Sequence, residues 1–244
     1  MKSSKTSTTT KRRNNLLSQE KKVIQNTIAK PPVVRRRSKL IFAYIPFATL
    51  SFAMFAWLAY TQPHSLLDVY LTSTIQQYDS DWVAYLMQAV SSVGRSPQFI
   101  VIVVIITSFL IYLRLRWEAL VSFCAIVVAY FLSVGIKLAI ARPRPNSVEI
   151  ETYIYNDSHS FPSGHVLTYT VYFGFLWFLT FVMMKKGNLR RFLLFLWAGL
   201  VLLVGPSRIY LGEHWTSDVV GAYFLGSLIL ILTLTVYRKM ASRS

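Results

Sequence analysis

Cysteine is nearly missing from this chain. Cys124 is the only one in 244 residues, and it sits inside an apolar run. That excludes an intrachain disulfide and a cysteine-rich metal cluster, and it disfavours a thiol nucleophile. Acidic residues are scarce as well. Ten Asp and Glu stand against 26 Lys and Arg, giving a formal net charge of +16. Such an excess raises nucleic acid as a partner, but the placement of the charges argues against it. Twelve of the 26 basic residues precede residue 40, and most of the others flank apolar runs. That is the signature of membrane topology. Charged residues make up only 15% of the chain and hydrophobic residues 54%, above the share of a soluble domain.

The apolar residues gather into runs near the roughly twenty residues that a membrane-spanning helix needs. Six spans are expected, at about 40–60, 97–113, 118–140, 165–184, 191–208 and 217–237. The predicted fold class is therefore all-α: a polytopic membrane protein of six transmembrane helices, forming one domain over 39–240. Residues 1–38 are rich in Ser, Thr, Lys and Arg, with Glu20 the single acid. Such a segment cannot bury enough apolar surface to fold alone, so a disordered basic cytoplasmic tail is expected. It can serve as a topology signal, as a contact for anionic lipid or as a transit peptide. Between the first two spans, residues 65–96 are too polar to cross. Ile75, Trp82, Tyr85, Leu86 and Val90 predict helices lying in the interface.

With the N-terminus inside, the inner segments carry 21 of the 26 basic residues. The positive-inside rule thus puts both termini in the cytoplasm. The outer face then carries all four histidines and eight of the ten acids. A plasma membrane location with the active site on the outer face is the expectation.

Three outer-face segments carry the chemistry. In "KLAIARPRP", Lys137 ends a span and can be read as a snorkelling lysine. Arg142 and Arg144 alternate with prolines, which hold their guanidinium groups out of a helix. Cations so close together suit an anion, and Arg offers phosphate a planar fork. In "FPSGHVL", Ser163 is a candidate N-cap and Gly164 permits close backbone approach. The N–H groups of the helix that follows favour an anion. His165 stands at that positive terminus, poised between its protonated and neutral forms, as a general acid must be. In "PSRIYLGEHWTSDVV", Arg208 closes a span, and His214 precedes Asp218 by four residues. On a helix the two share a face, so Asp218 can orient His214 as a nucleophile. His165, His214 and Asp218 also form a conceivable metal triad. Lys137, Arg144 and Arg208 would surround that metal with like charge, so no metal and no cofactor are expected.

In order and spacing, these segments resemble the three-part signature of the type 2 phosphatidic acid phosphatase family. The residues are Lys137 with Arg144-Pro145, then Pro162-Ser163-Gly164-His165, then Ser207-Arg208 with His214 and Asp218. The resemblance covers about 137–218, and the span pattern extends it to about 40–237. It implies a metal-independent phosphatase in which His214 attacks phosphorus and forms a phosphohistidine. Asp218 would support His214, and His165 would protonate the leaving oxygen and then activate water. Lys137, Ser163, Gly164, Arg144 and Arg208 would hold the phosphate. Spacing from Lys137 selects Arg144 over Arg142. Arg142 is left to a second phosphate, a lipid headgroup or the loop itself, and His159 falls outside the pattern.

The expected activity is hydrolysis of lipid phosphate monoesters or diphosphates: phosphatidic acid, phosphatidylglycerol phosphate, lyso- or sphingoid phosphates, or polyprenyl diphosphate. The expected partners are that lipid substrate and the membrane, with no nucleic acid. A lipid phosphotransferase would use the same residues. A transporter or catalytically dead scaffold is the reading from another class. The sequence does not address oligomeric state.

Overall fold

The computed structural model describes residues 32–78, 80–146, 150–152 and 158–241, with side chains from residue 40. The residues expected to form the tail lie outside this set as far as residue 31. All regular structure among the described residues is helical. The helices are α1 (Pro32–Thr61), α2 (Leu66–Gln76), α3 (Asp81–Val93), α4 (Gln98–Tyr112), α5 (Arg116–Ile140), α6 (Gly164–Met183), α7 (Asn188–Tyr210) and α8 (Thr216–Ala241).

Five of these contain stretches long and apolar enough to cross a membrane: Leu40–Thr61 of α1, and α5 to α8. The expected second span is α4, which has 15 residues. At 1.5 Å per residue it reaches only about 22 Å, short of a bilayer core of about 30 Å. Joined to α3 across a 58° bend, it passes the same test. The count is thus five straight spans, or six where the bent pair is one span. Residues 65–96 do form two helices, but α3 belongs to that bent pair and not only to an interfacial segment.

The chain splits into two units, Met1–Pro46 and Phe47–Ser244. The core of the second is α6, whose apolar window is 61% buried against 28–33% for α5, α7 and α8. That difference makes α6 the hub on which the others pack. Its aromatic residues interlock: Phe173 stacks on Trp197 of α7 at 5.5 Å, and Tyr169 meets Phe173 edge-on at 4.9 Å. Two of its buried threonines are satisfied within the helix, as an apolar surround demands. Thr170 donates to Val166 O and Thr180 to Leu176 O. At the crossing of α6 and α8, a Cβ on Gly226 would stand 2.8 Å from Thr170 Cβ, so only glycine allows this approach.

The up-and-down order decides where chemistry can occur. The C-termini of α5 and α7 and the N-termini of α6 and α8 share one end of the bundle. Lys137 lies in the last turn of α5, Gly164 opens α6, Arg208 lies in the last turn of α7, and Asp218 lies in the first turn of α8.

Candidate active site

Each helix end is trimmed to deliver its residue. α5 stops at Ala141, whose φ of 52° is left-handed, with its N–H on Lys137 O at 2.9 Å. Pro143 and Pro145 then forbid helix, and Arg142 to Asn146 have no regular structure. Lys137 sits below this segment and donates from Nζ to His159 O and to Ser160 O, the latter at 3.1 Å. Between α7 and α8, Gly212 adopts φ +67°, and a Cβ there would stand 2.0 Å from Glu151 O. That turn projects His214 inward. Gln76 of α2 secures it by donating to Glu151 O at 2.7 Å and Tyr210 O at 3.0 Å.

His214 thus lies in a turn and not on α8, but it still meets Asp218. His214 Nδ1 is 3.5 Å from Asp218 Oδ2 and 3.4 Å from Ser160 Oγ. On the other side of the ring, Arg144 Nη1 is 3.2 Å from Nε2. A guanidinium can only donate. Nε2 must therefore offer its lone pair, and the ring proton resides on Nδ1, facing Asp218 and Ser160. Burial, then the charges of Arg144, Lys137, Arg208 and His165, hold the pKa of His214 well below the usual histidine value. At neutral pH the ring is uncharged and Nε2 is nucleophilic.

Asp218 is fully buried. Its Oδ2 accepts from Ser160 Oγ and from Trp215 N, the latter at 2.9 Å. Its Oδ1 accepts from Arg142 Nη1 at 2.7 Å. Arg142 also donates to Ser217 Oγ at 2.7 Å, Asp68 Oδ2 at 2.8 Å and Pro63 O at 3.1 Å. Of the roles left open for Arg142, the structure shows the internal one: its fork is fully engaged by the protein. Asp68 in turn accepts from Ser217 N at 2.8 Å and Ser217 Oγ at 2.6 Å. A charge buried this deeply needs such pairing.

Arg208 is buried and donates to Glu213 Oε2 and Ser91 Oγ. Arg144 donates to Ser158 O at 2.8 Å, Ser158 Oγ at 2.9 Å and Glu213 O. Among the described residues, Lys137 and Arg144 both lack a carboxylate in direct contact. Beside them are three buried polar atoms without a hydrogen-bond partner: Ser163 Oγ, His165 Nε2 and Arg208 Nε. Ser163 occupies the N-cap position of α6, but its hydroxyl does not cap the helix. The ends of α6 and α8 add positive dipole at the same place.

All eight predicted site residues thus converge on this end of the bundle. Sequence reasoning missed Ser160, Asp68, Glu213 and Ser91, and it left the role of Arg142 open. Ser160 lies next to the "FPSGH" stretch and gives only a weak signal. Asp68 offers a lone acid in the first turn of α2. Among the described residues, no group of three His, Cys, Asp or Glu is arranged to hold a metal.

The geometry makes comparison with known proteins informative. Residues 117–241 match the model of the PAP2 superfamily. Phosphatidylglycerophosphatase B of Bacillus subtilis is 27% identical over 152 residues, 62% of this chain and 73% of that one. Undecaprenyl-diphosphatase of Sulfolobus acidocaldarius is 28% identical over 160 residues, 62% of this chain and 69% of that one. Among solved structures, the transmembrane PAP2-type phosphatidylglycerolphosphate phosphatase from Bacillus subtilis superposes with a TM-score of 0.70 at 24% identity. It covers 80% of this chain and 96% of that one. Aquifex aeolicus LpxE gives a TM-score of 0.55 at 21% identity, over 71% and 98%. At these identities the two structures show a shared fold. The chain belongs to the PAP2 superfamily, as an integral membrane phosphatase.

Proposed function

We propose that this protein hydrolyses lipid phosphate monoesters or diphosphates, without metal, through a phosphohistidine on His214. The observation that carries the reading is the setting of His214. One ring nitrogen faces Asp218 and Ser160, and the other presents a lone pair beside Arg144. In the first step His214 Nε2 attacks phosphorus, and Asp218 stabilises the imidazolium that develops. His165 gives its proton to the leaving oxygen. In the second step His165 takes a proton from water, which attacks the phosphohistidine and releases phosphate. Lys137, Arg144, Arg208, Ser163 Oγ and the Gly164 N–H hold the equatorial oxygens, in the role that magnesium fills in other phosphoryl transfers.

A lipid substrate fits the placement. The site lies at the ends of apolar helices, so a phosphate can reach it while acyl or prenyl chains stay between helices. The names of the two curated relatives point to the same chemical class. The orientation proposed is that of the positive-inside count: both termini cytoplasmic and the site on the outer face of a plasma membrane. Residues 39–240 form the phosphatase domain, with the basic charge of 1–38 as its topology signal.

The test is a phosphate-release panel with chelator present, spanning phosphatidic acid, phosphatidylglycerol phosphate and polyprenyl diphosphate. Release from at least one lipid, abolished by His214→Ala, is the expected result. No release from any of them, or release restored only by added metal, contradicts the reading. Transfer of labelled phosphate to a second lipid in place of water would make the protein a phosphotransferase.

A further inference from the structure

Arg95 has no place in the phosphate cage described above. It lies in the bend between α3 and α4. Its neighbour Gly94, the C-cap of α3, presses on His165. A Cβ on Gly94 would stand 2.5 Å from His165 Cδ2 and 3.1 Å from Nε2. Tyr169 anchors the same helix end by donating to Val90 O at 2.6 Å. The bend is therefore fixed against the His165 ring.

Arg95 itself is exposed. Among the described residues its guanidinium has no ion-pair or hydrogen-bond partner. This sets it apart from the other cations at this end of the bundle. Arg142 is engaged by Asp68 and Asp218, Arg208 by Glu213, Arg144 by Ser158 and Glu213, and Lys137 by two carbonyls. Arg95 directly follows Gly94, whose backbone approaches the His165 ring. Its cation thus borders the proposed proton donor, the group that would meet the leaving oxygen.

We infer that Arg95 forms a second anion subsite, which takes the phosphate that stays with the lipid when a lipid diphosphate is cleaved. The inference rests on the proposed roles of His214 and His165. A bond forms between His214 Nε2 and the terminal phosphorus. The bond from that phosphorus to the bridging oxygen breaks, and its electron pair goes to the bridging oxygen. The His165 proton goes to the same oxygen, so the leaving group is a lipid monophosphate. Water then regenerates His214 and releases inorganic phosphate. Arg95 balances the charge of the departing phosphate. In a monoester the leaving oxygen belongs to an alcohol, and Arg95 has no anion to meet. The substrate class selected is therefore the lipid diphosphate.

The test compares wild type with Arg95→Ala and Arg95→Lys in neutral detergent, on a polyprenyl diphosphate and on phosphatidic acid. Loss of one charge-assisted contact predicts a drop of roughly tenfold or more in kcat/KM on the diphosphate. Turnover of phosphatidic acid should change by less than about threefold, and Arg95→Lys should regain part of the loss. Inorganic diphosphate should inhibit wild type more strongly than inorganic phosphate, and Arg95→Ala should erase that advantage. Equal effects on both substrates, or none, overturn the subsite. So does a loss that shows only in vesicles of anionic lipid, because Arg95 would then be meeting bulk headgroups. A wild type that cleaves both lipids, with Arg95→Ala indifferent, refutes the subsite alone. A wild type that cleaves neither refutes the proposed function and this inference with it.

Discussion

Arg142 Nη1 lies 2.7 Å from Asp218 Oδ1. The same guanidinium reaches Asp68 Oδ2 of α2 at 2.8 Å. One buried cation therefore holds the carboxylate behind His214 and ties it to α2, through an acid 74 residues before the arginine. The two Arg-Pro pairs of "ARPRP" divide their labour: Arg142 faces inward to Asp218, and Arg144 faces His214 and the proposed phosphate position.

That division predicts different failures. Arg142→Gln leaves Asp68 and Asp218 buried without their cation. It should destabilise the fold by about 3 kcal/mol or more, read as a lowered melting temperature in detergent. Adding Asp68→Asn should restore part of the loss. Arg144→Gln should fold normally and lose activity. Wild-type stability in Arg142→Gln would contradict the assignment.

Ser160 bridges the histidine and the aspartate, donating to Asp218 Oδ2 with its oxygen 3.4 Å from His214 Nδ1. Ser160→Ala should lower kcat by roughly tenfold, the worth of one hydrogen bond to a charged group. KM should change little, because Ser160 sits behind His214 and does not face substrate. An unchanged kcat would mean that Ser160 only fills space.

Gly94→Ala should cost activity with little loss of stability. The added methyl must displace His165 or Tyr169. Misplacing a catalytic group by about 1 Å costs on the order of a hundredfold. Steady-state kinetics beside a thermal melt separate the two effects. Full activity would show that the His165 position is not critical.

The depressed pKa of His214 sets a pH dependence. The ring is neutral above its folded pKa, which lies well below 6.5. Protonation of His214, the proposed nucleophile, should therefore limit kcat/KM only at pH clearly below 6.5. For stability, the unfolded chain binds a proton at His214 near pH 6.5, while the folded chain resists it until lower pH. The unfolded state then holds more protons, so this contribution is fully present above pH 6.5 and declines as pH falls toward the folded pKa. A pH–rate profile and melts across the same range check both. An acid limb at or above 6.5 belonging to His214 would contradict the burial argument.

The sequence was most legible where chemistry forces spacing. The apolar runs marked the spans, and the Lys, Arg, His and Asp residues that the structure brings together could be named because their types and order match the family resemblance. The second span was less legible. The break at Gly94–Pro97 divides α3 from α4, and hydropathy cannot show a 58° bend. The positioning residues were hidden for another reason. Asp68, Ser160 and Glu213 matter through contacts across 74, 58 and 5 residues with Arg142, Asp218 and Arg208. Local patterns carry no record of the first two, and the third looks like an ordinary surface acid. Spacing from Lys137 separated Arg144 from Arg142, but only the turn after α5 shows that Arg142 points to Asp68 and Asp218.

The most direct test of the account is a single-turnover trap with labelled terminal phosphate on a lipid substrate, in chelator, quenched under conditions that preserve phosphohistidine. The account predicts label on His214, absent in His214→Ala and accumulating in His165→Ala when the leaving group departs without help. Turnover by His214→Ala, or label on any other residue, would contradict it.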